Sequence, residues 1–198
     1  MEELNQALFL LINASIHPNS LTVFAAKVLA NDTIWIIPLG ISAYWLYGAE
    51  RTRIVVLASC MSGVSGLLIN QIIALMWTHP RPFMIGLGQT LIPHAADSSF
   101  PSDHLTLVWA VGVTFLLHRD FRFVGSILSL LGIAIAWARI YLGVHFPMDM
   151  LGSVFVATVT SCLISWREDL FVLPLFYLIS RLHRSLLSPF IQRGWVKK

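Results

Sequence analysis

The sequence predicts an all-α fold, a multi-pass transmembrane helical bundle of five spanning helices with a sixth as the alternative. Three observations predict it. Of the 198 residues, 57% are hydrophobic and 12% charged, against roughly 45–50% apolar and 25% charged in soluble domains. The apolar residues gather into runs that reach or approach the roughly 20 residues a membrane-spanning helix needs. The arginines cluster in every second connection between those runs, the pattern of short cytoplasmic loops. Five spans consume most of a chain of this length, so one domain covering residues 1–198 is expected.

Taken in order, residues 7–12 are apolar but short and lack a preceding basic region, so a cleaved signal peptide is not expected. Residues 21–30, with Lys27, lie at the interface or extend the helix that follows; residues 1–30 are read as an N-terminal or interfacial segment. Run one covers 33–47, with Asn31 and Asp32 placed as N-terminal caps. Run two covers 54–77 and is interrupted by Asn70 and Gln71. Run three, 105–117, reaches spanning length if its helix begins at Pro101, since Pro is favoured at the first helical position and Ser102 and Asp103 suit an N-terminal turn. Runs four and five cover 123–142 and 148–166. Residues 170–182 are apolar but short and contain Pro174, which reads as an interfacial or half-buried helix; a sixth span is the alternative. Cys60 and Cys162 sit inside apolar runs as packing residues. Trp35, Trp45, Trp77 and Trp166 lie near run ends, as interface tryptophans do.

Orientation follows from charge. Arg51 and Arg53, Arg119 and Arg122, and the basic residues of 167–198 all fall on one side of a five-span layout. That side is expected to be cytoplasmic, with 167–198 as a basic cytoplasmic tail. The loops 78–100 and 143–147 then lie outside, and Lys27, Arg81 and Arg139 stand on or near the outer face. The formal charge of +3 is modest, and no nucleic-acid partner is expected.

The outer loops hold most of the reactive side chains outside the basic loops. Thr78-His79-Pro80-Arg81-Pro82 comes first, then Ser98-Ser99-Phe100-Pro101-Ser102-Asp103-His104, then Arg139, His145 and Asp149. Ionisable groups at a membrane boundary mark a functional site by default. Arg81 and Arg139 carry planar donor forks matched to phosphate oxygens. The helix start near Pro101 adds free amides beside the Ser102 hydroxyl, which suits an anion. His145 and Asp149 are four apart across Pro147, so the carboxylate could hold one ring nitrogen and leave the other to attack. His104 could protonate the departing oxygen and then take a proton from water. Two histidines with opposite starting protonation predict a bell-shaped pH profile.

Arg81-Pro82, Pro101-Ser102-Asp103-His104, and Arg139 with five residues before His145 and three more before Asp149 together resemble the three-part signature of the type-2 phosphatidic acid phosphatase superfamily. The resemblance covers roughly residues 73–152. It implies phosphate binding by Arg81, Ser102 and Arg139, a nucleophile at His145, an orienting carboxylate at Asp149 and a general acid at His104, with no metal or other cofactor. The Pro-Ser-Asp-His form and small size resemble the bacterial undecaprenyl-diphosphate phosphatase branch. That branch implies hydrolysis of undecaprenyl diphosphate to undecaprenyl phosphate and inorganic phosphate, in the inner membrane, for carrier-lipid recycling in cell-wall synthesis and bacitracin resistance. The alternatives are another lipid phosphate, such as phosphatidic acid or phosphatidylglycerophosphate, and phosphotransfer to a lipid acceptor through the same intermediate. Vanadate inhibition is expected.

The sequence departs from the family pattern at Ala74, where a lysine is usual, at Ala138, where serine is usual, and at Asp103, often glycine. Gln71, one turn from Ala74, offers a neutral donor. Asp103 reads first as a helix-starting residue, Asp97 and Ser98 as loop formers, and His79 and His94 as solvated loop residues. A transporter is disfavoured because the polar groups cluster at one face and no pair of broken helices appears at the midplane. A metal enzyme is disfavoured because two arginines aimed at the site would repel a cation.

Overall fold

The computed structural model describes residues 2–197, and among these it contains helices and no strands. Helix α1 (Glu2–Ile12) is followed by α2 (Ser20–Lys27), which Asn19 caps by accepting from the Leu21 and Thr22 amides. The chain then passes through a π-turn at Val28–Asp32 and a 3-10 turn at Thr33–Trp35 straight into α3 (Ile36–Tyr47). This corrects the expected caps: neither Asn31 nor Asp32 starts a helix, and no side-chain cap bond forms at Asp32. Residues 20–47 make one helical stretch of 28 residues. The apolar run on both sides of Asn31 and Asp32 outweighs their local preference for a helix start, and residues 20–30 belong to the first span.

Helices α4 (Glu50–Met76), α5 (Asp103–Leu117), α6 (Arg122–Tyr141), α7 (Pro147–Trp166), α8 (Glu168–Leu186) and α9 (Ser188–Gln192) complete the bundle. Four stretches among the described residues are long and apolar enough to cross a membrane: Ser20–Tyr47, Glu50–Met76, Arg119–Tyr141 and Pro147–Trp166. Leu39, Leu75, Leu130 and Phe155 are exposed on them, as residues facing hydrocarbon would be. The protein is an integral membrane protein.

Helix α5 begins at Asp103, two residues later than the Pro101 start, and is 15 residues long. At 1.5 Å per residue it spans about 22 Å, short of the roughly 30 Å hydrocarbon core. Its position explains this. It runs through the centre of the bundle against α4, α6 and α7, with Leu105, Val108, Ala110, Val111 and Phe115 buried, so its start lies recessed among longer neighbours. Helix α8 is not one of the four candidate spans. It runs through Pro174 and lays Val172 and Phe176 against Leu57, Ala58 and Ile164, so residues 168–186 form a packed, half-buried helix. Trp45 is also more than an interface residue, since its Nε1 donates to His183 Nδ1 at 3.1 Å. Cys60 packs against the core, whereas Cys162 is exposed.

The two ends of the bundle differ chemically. At one end Glu168 meets Arg51 at 3.2 Å and His118 at 3.5 Å, joining α4, α5 and α8. At the other end the 77–102 connection and the α6–α7 turn come together under α1. Phe9 of α1 packs against Phe146 with ring centroids 5.3 Å apart, and Asn13 donates to the Gln89 and Tyr141 carbonyls.

Candidate active site

Local hydrogen bonding explains why Arg139, His145 and Asp149 recur at that spacing. Helix α6 ends in a Schellman motif: Gly143, at φ +83°, sends its N–H to Ile140 O, and Val144 sends its N–H to Arg139 O. Such a cap places one residue in the left-handed region. A Cβ on Gly143 would also strike the Gln89 carbonyl, so glycine is required there. The chain then turns through His145 and Phe146 into α7, whose first residue is Pro147. Asp149 sits in the first turn of α7 and reaches back, its Oδ2 accepting from Phe146 N–H at 2.7 Å. That half of a capping box leaves the carboxylate beside the His145 ring.

His145 is buried, with Nδ1 3.0 Å from Ser99 O and 3.3 Å from Asp149 Oδ2. Both neighbours are acceptors, so Nδ1 carries the hydrogen and Nε2 keeps its lone pair. Nε2 receives a hydrogen bond from Arg81 Nη1 at 3.1 Å. Burial pushes the imidazole down to about 3, with Arg139 and Arg81 adding to the effect and the Asp149 hydrogen bond opposing it. The neutral ring is the resting form at neutral pH.

Four of the six residues singled out in the sequence line one cavity of about 200 Å³: Arg81, His104, Arg139 and His145. Asp149 lies behind His145, fully buried. Ser102 is also fully buried just before α5, held through its backbone by Ser153, whose hydroxyl bonds both Ser102 N–H and Ser102 O. The Ser102 hydroxyl has no partner among the described residues, and Ser102 is not part of the cavity wall.

The two arginines differ in their surroundings. Arg81 is engaged on every side: Nε with Asp97 at 2.8 Å, Nη1 with Val144 O and Nη2 with Ser98 O. Arg139 is 1% exposed, donates Nη1 to Ala30 O at 3.2 Å and Nη2 to His94 Nε2 at 3.0 Å, and leaves Nε without a partner among the described residues. Among the described residues no carboxylate lies within ion-pair distance of it. A buried guanidinium with no carboxylate in direct contact is costly, and this one lines a cavity.

Several residues correct the sequence reading. His94 is not a solvated loop residue: it lines the cavity, meets Arg139, and lies 6.0 Å ring to ring from His145. Burial and the nearby Arg81 lower its pKa, which suits its role as acceptor from Arg139. His79 is buried as well, between Glu2 and Asp149. Asp97 is the ion-pair partner of Arg81. Gln71 turns its amide to Asp103 Oδ2, while Asn70 donates to Asp103 Oδ1 and Thr106, so the neutral donor that Gln71 offers is already used. Ser99, whose hydroxyl bonds Asp149 Oδ2, stands in the quoted loop segment without an assigned role, and Ser153 escaped the sequence reading. Ser153 had a visible signal, since it lies one helical turn after Asp149 and shares its face.

A family model described as the PAP2 superfamily matches residues 53–171, the segment that carries all six of these residues. The chain belongs to the PAP2 superfamily. PAP2 membership makes it a phosphatase, and so a hydrolase. Escherichia coli (strain K12) YbjG is 35% identical over 201 residues, an alignment spanning 100% of this chain and 99% of that protein. Undecaprenyl-diphosphatase BcrC of Bacillus subtilis (strain 168) is 35% identical over 185 residues, spanning 93% and 94%. The crystal structure of Aquifex aeolicus LpxE superposes with a TM-score of 0.64 at 25% identity, covering 81% of this chain and 93% of that one. Ala74, the position where the sequence resemblance leads one to expect a lysine, lines the cavity with a side chain that carries no charge.

Proposed function

We propose that the protein hydrolyses undecaprenyl diphosphate to undecaprenyl phosphate and inorganic phosphate through a phosphohistidine at His145. The observation that carries this reading is the buried Arg139, without a carboxylate partner among the described residues, lining the same cavity as Arg81, His104 and a neutral His145 whose unprotonated Nε2 is held by Arg81 until the phosphate draws that guanidinium away. The two relatives that are 35% identical over nearly the whole chain include one named undecaprenyl-diphosphatase, which supports the choice of lipid.

In this mechanism the terminal phosphoryl group enters between Arg81 and Arg139, and Arg81 exchanges Asp97 for a phosphate oxygen. Nε2 of His145 attacks the terminal phosphorus, and the bond to the bridging oxygen breaks. The departing lipid monophosphate takes a proton from His104, which burial and the neighbouring cations keep neutral in the free protein and which takes up that proton from water as the diphosphate binds, since the anion's charge favours the imidazolium. Water then attacks the phosphohistidine and gives a proton to His104, and inorganic phosphate leaves from His145. Asp149 and the Ser99 carbonyl hold Nδ1–H throughout, stabilising the imidazolium character that develops on attack. No step calls on a metal. The cavity end of the bundle faces the extracytoplasmic side of the inner membrane and the C-terminus lies in the cytoplasm, because Arg51, Arg119, Arg122 and Arg167 all belong to the opposite end.

The deciding experiment is phosphate release from undecaprenyl diphosphate by the purified protein in detergent with chelator present. Release that persists in chelator and stops with vanadate is expected. Loss of activity in chelator would defeat the metal-free mechanism, and absence of release from folded protein would move the substrate to a lipid monophosphate or the reaction to transfer onto an acceptor.

The displaced titration of His145 has a definite sign. Its neutral form attacks, so protonation removes activity only as pH falls towards about 3, far below the ordinary 6.5. The acid limb of kcat/KM that belongs to His145 in the free enzyme is therefore expected well below pH 5. An acid limb centred near 6.5 and retained in His104→Ala would show that His145 titrates as an ordinary imidazole. Stability carries the same signature. The unfolded chain takes up this proton near 6.5 while the folded protein resists it until about 3, so His145 lowers stability progressively across that window and has no effect above it.

A further inference from the structure

We propose that His79 is a positioning residue for the nucleophile, holding the second oxygen of Asp149 and thereby fixing the carboxylate that orients His145. This rests on the reading of His145 given above. Asp149 spends one oxygen, Oδ2, on His145, Ser99 and the Phe146 amide. Its other oxygen, Oδ1, is buried with no hydrogen-bond partner among the described residues, and so is His79 Nδ1. These two atoms face each other at 3.8 Å. Two orphaned buried polar atoms, an acceptor and a ring nitrogen, are each costly alone, and a displacement of under about 1 Å turns them into a hydrogen bond.

The His79 ring is held where it can make that contact. Its backbone is pinned on both sides, N–H to Ser98 Oγ at 3.2 Å and O from Ser99 N–H at 2.7 Å. Trp77 and Phe146 pack against the ring at 5.2 and 5.5 Å between centroids. Its far nitrogen, Nε2, lies 3.4 Å from Glu2 Oε2 of α1. His79 thus stands between a carboxylate of α1 and Asp149, in a chain of contacts that continues to His145. His79 is absent from the wall of the phosphate cavity and lines, with Asp149, a separate apolar cavity of about 420 Å³. It therefore acts on the nucleophile through Asp149 and not on the phosphate.

The test compares His79→Leu, His79→Asn and His79→Gln in the full-length protein, measuring kcat and KM for undecaprenyl diphosphate alongside thermal unfolding. An asparagine amide nitrogen stands as many bonds from Cα as Nδ1, and a glutamine amide nitrogen as many as Nε2. Loosening a supporting contact of this kind costs about tenfold to a hundredfold. The leucine variant is expected to lose that much in kcat with KM changed less than about twofold, asparagine to recover most of it, and glutamine to recover little. Equal kcat in the asparagine and glutamine variants, or a folded leucine variant with wild-type kcat, overturns the proposal. If the leucine variant unfolds, the asparagine and glutamine pair still decides. A wild-type protein without His145-dependent release defeats the proposed function instead, and is recognised before any His79 variant is measured.

Discussion

Replacing His145 by alanine is expected to reduce phosphate release on the order of 10⁴-fold or more, to the level that binding and electrostatics alone support. The substitution removes the attacking Nε2 while leaving the Phe146–Asp149 bond that starts α7 and the Ser99–Asp149 contact in place, so the fold survives to be measured. Acid-quenched wild-type protein incubated with terminally labelled substrate should carry label on protein, and His145→Ala should carry none. A variant retaining more than about 1% of wild-type kcat would mean that water attacks phosphorus directly, with His145 at most a base.

Arg139→Lys should be the next most damaging change that keeps the charge. Lysine places one ammonium where the guanidinium presents a fork, and Arg139 already uses that fork two ways, Nη1 on Ala30 O and Nη2 on His94. A single ammonium cannot hold the carbonyl, the imidazole and a transferring phosphoryl group together. The loss in kcat/KM is expected at about 10²–10³-fold, the scale of removing one aligned donor from a developing anion. A lysine variant within about threefold of wild type would show that charge alone is needed.

What the sequence revealed about this site, and what it hid, follows from the range of the forces involved. The Arg139–His145–Asp149 spacing is legible because it is local: a Schellman cap and a helix-start carboxylate fix all three within eleven consecutive residues. Arg81 and His104 are legible because ionisable side chains at a membrane boundary are rare. His94 and Asp97 are not, since in one dimension they are polar residues of a loop; only folding of residues 86–98 over the α6–α7 turn, clamped by Asn13 just after α1, brings them to the arginines. His79 is hidden for the same reason, because its partners lie 77 residues before it and 70 after it. The expected caps at Asn31 and Asp32 and the helix start at Pro101 failed where a local preference met a longer-range one: a continuous span in the first case, and in the second the Ser153 hydroxyl, which takes the Ser102 amide and carbonyl.

The π-turn at Val28–Asp32 bears on how portable this active site is. The segment shared with the superfamily begins at residue 53, yet the carbonyl that seats Arg139 belongs to Ala30, inside that turn. A chimaera that transplants residues 53–171 behind a foreign first span would inherit every motif residue and lose the anchor of one of its two cations. The signature can thus be copied by sequence while its function depends on a neighbour outside it, and exchanges among relatives should succeed where the donor's first span travels with the motifs.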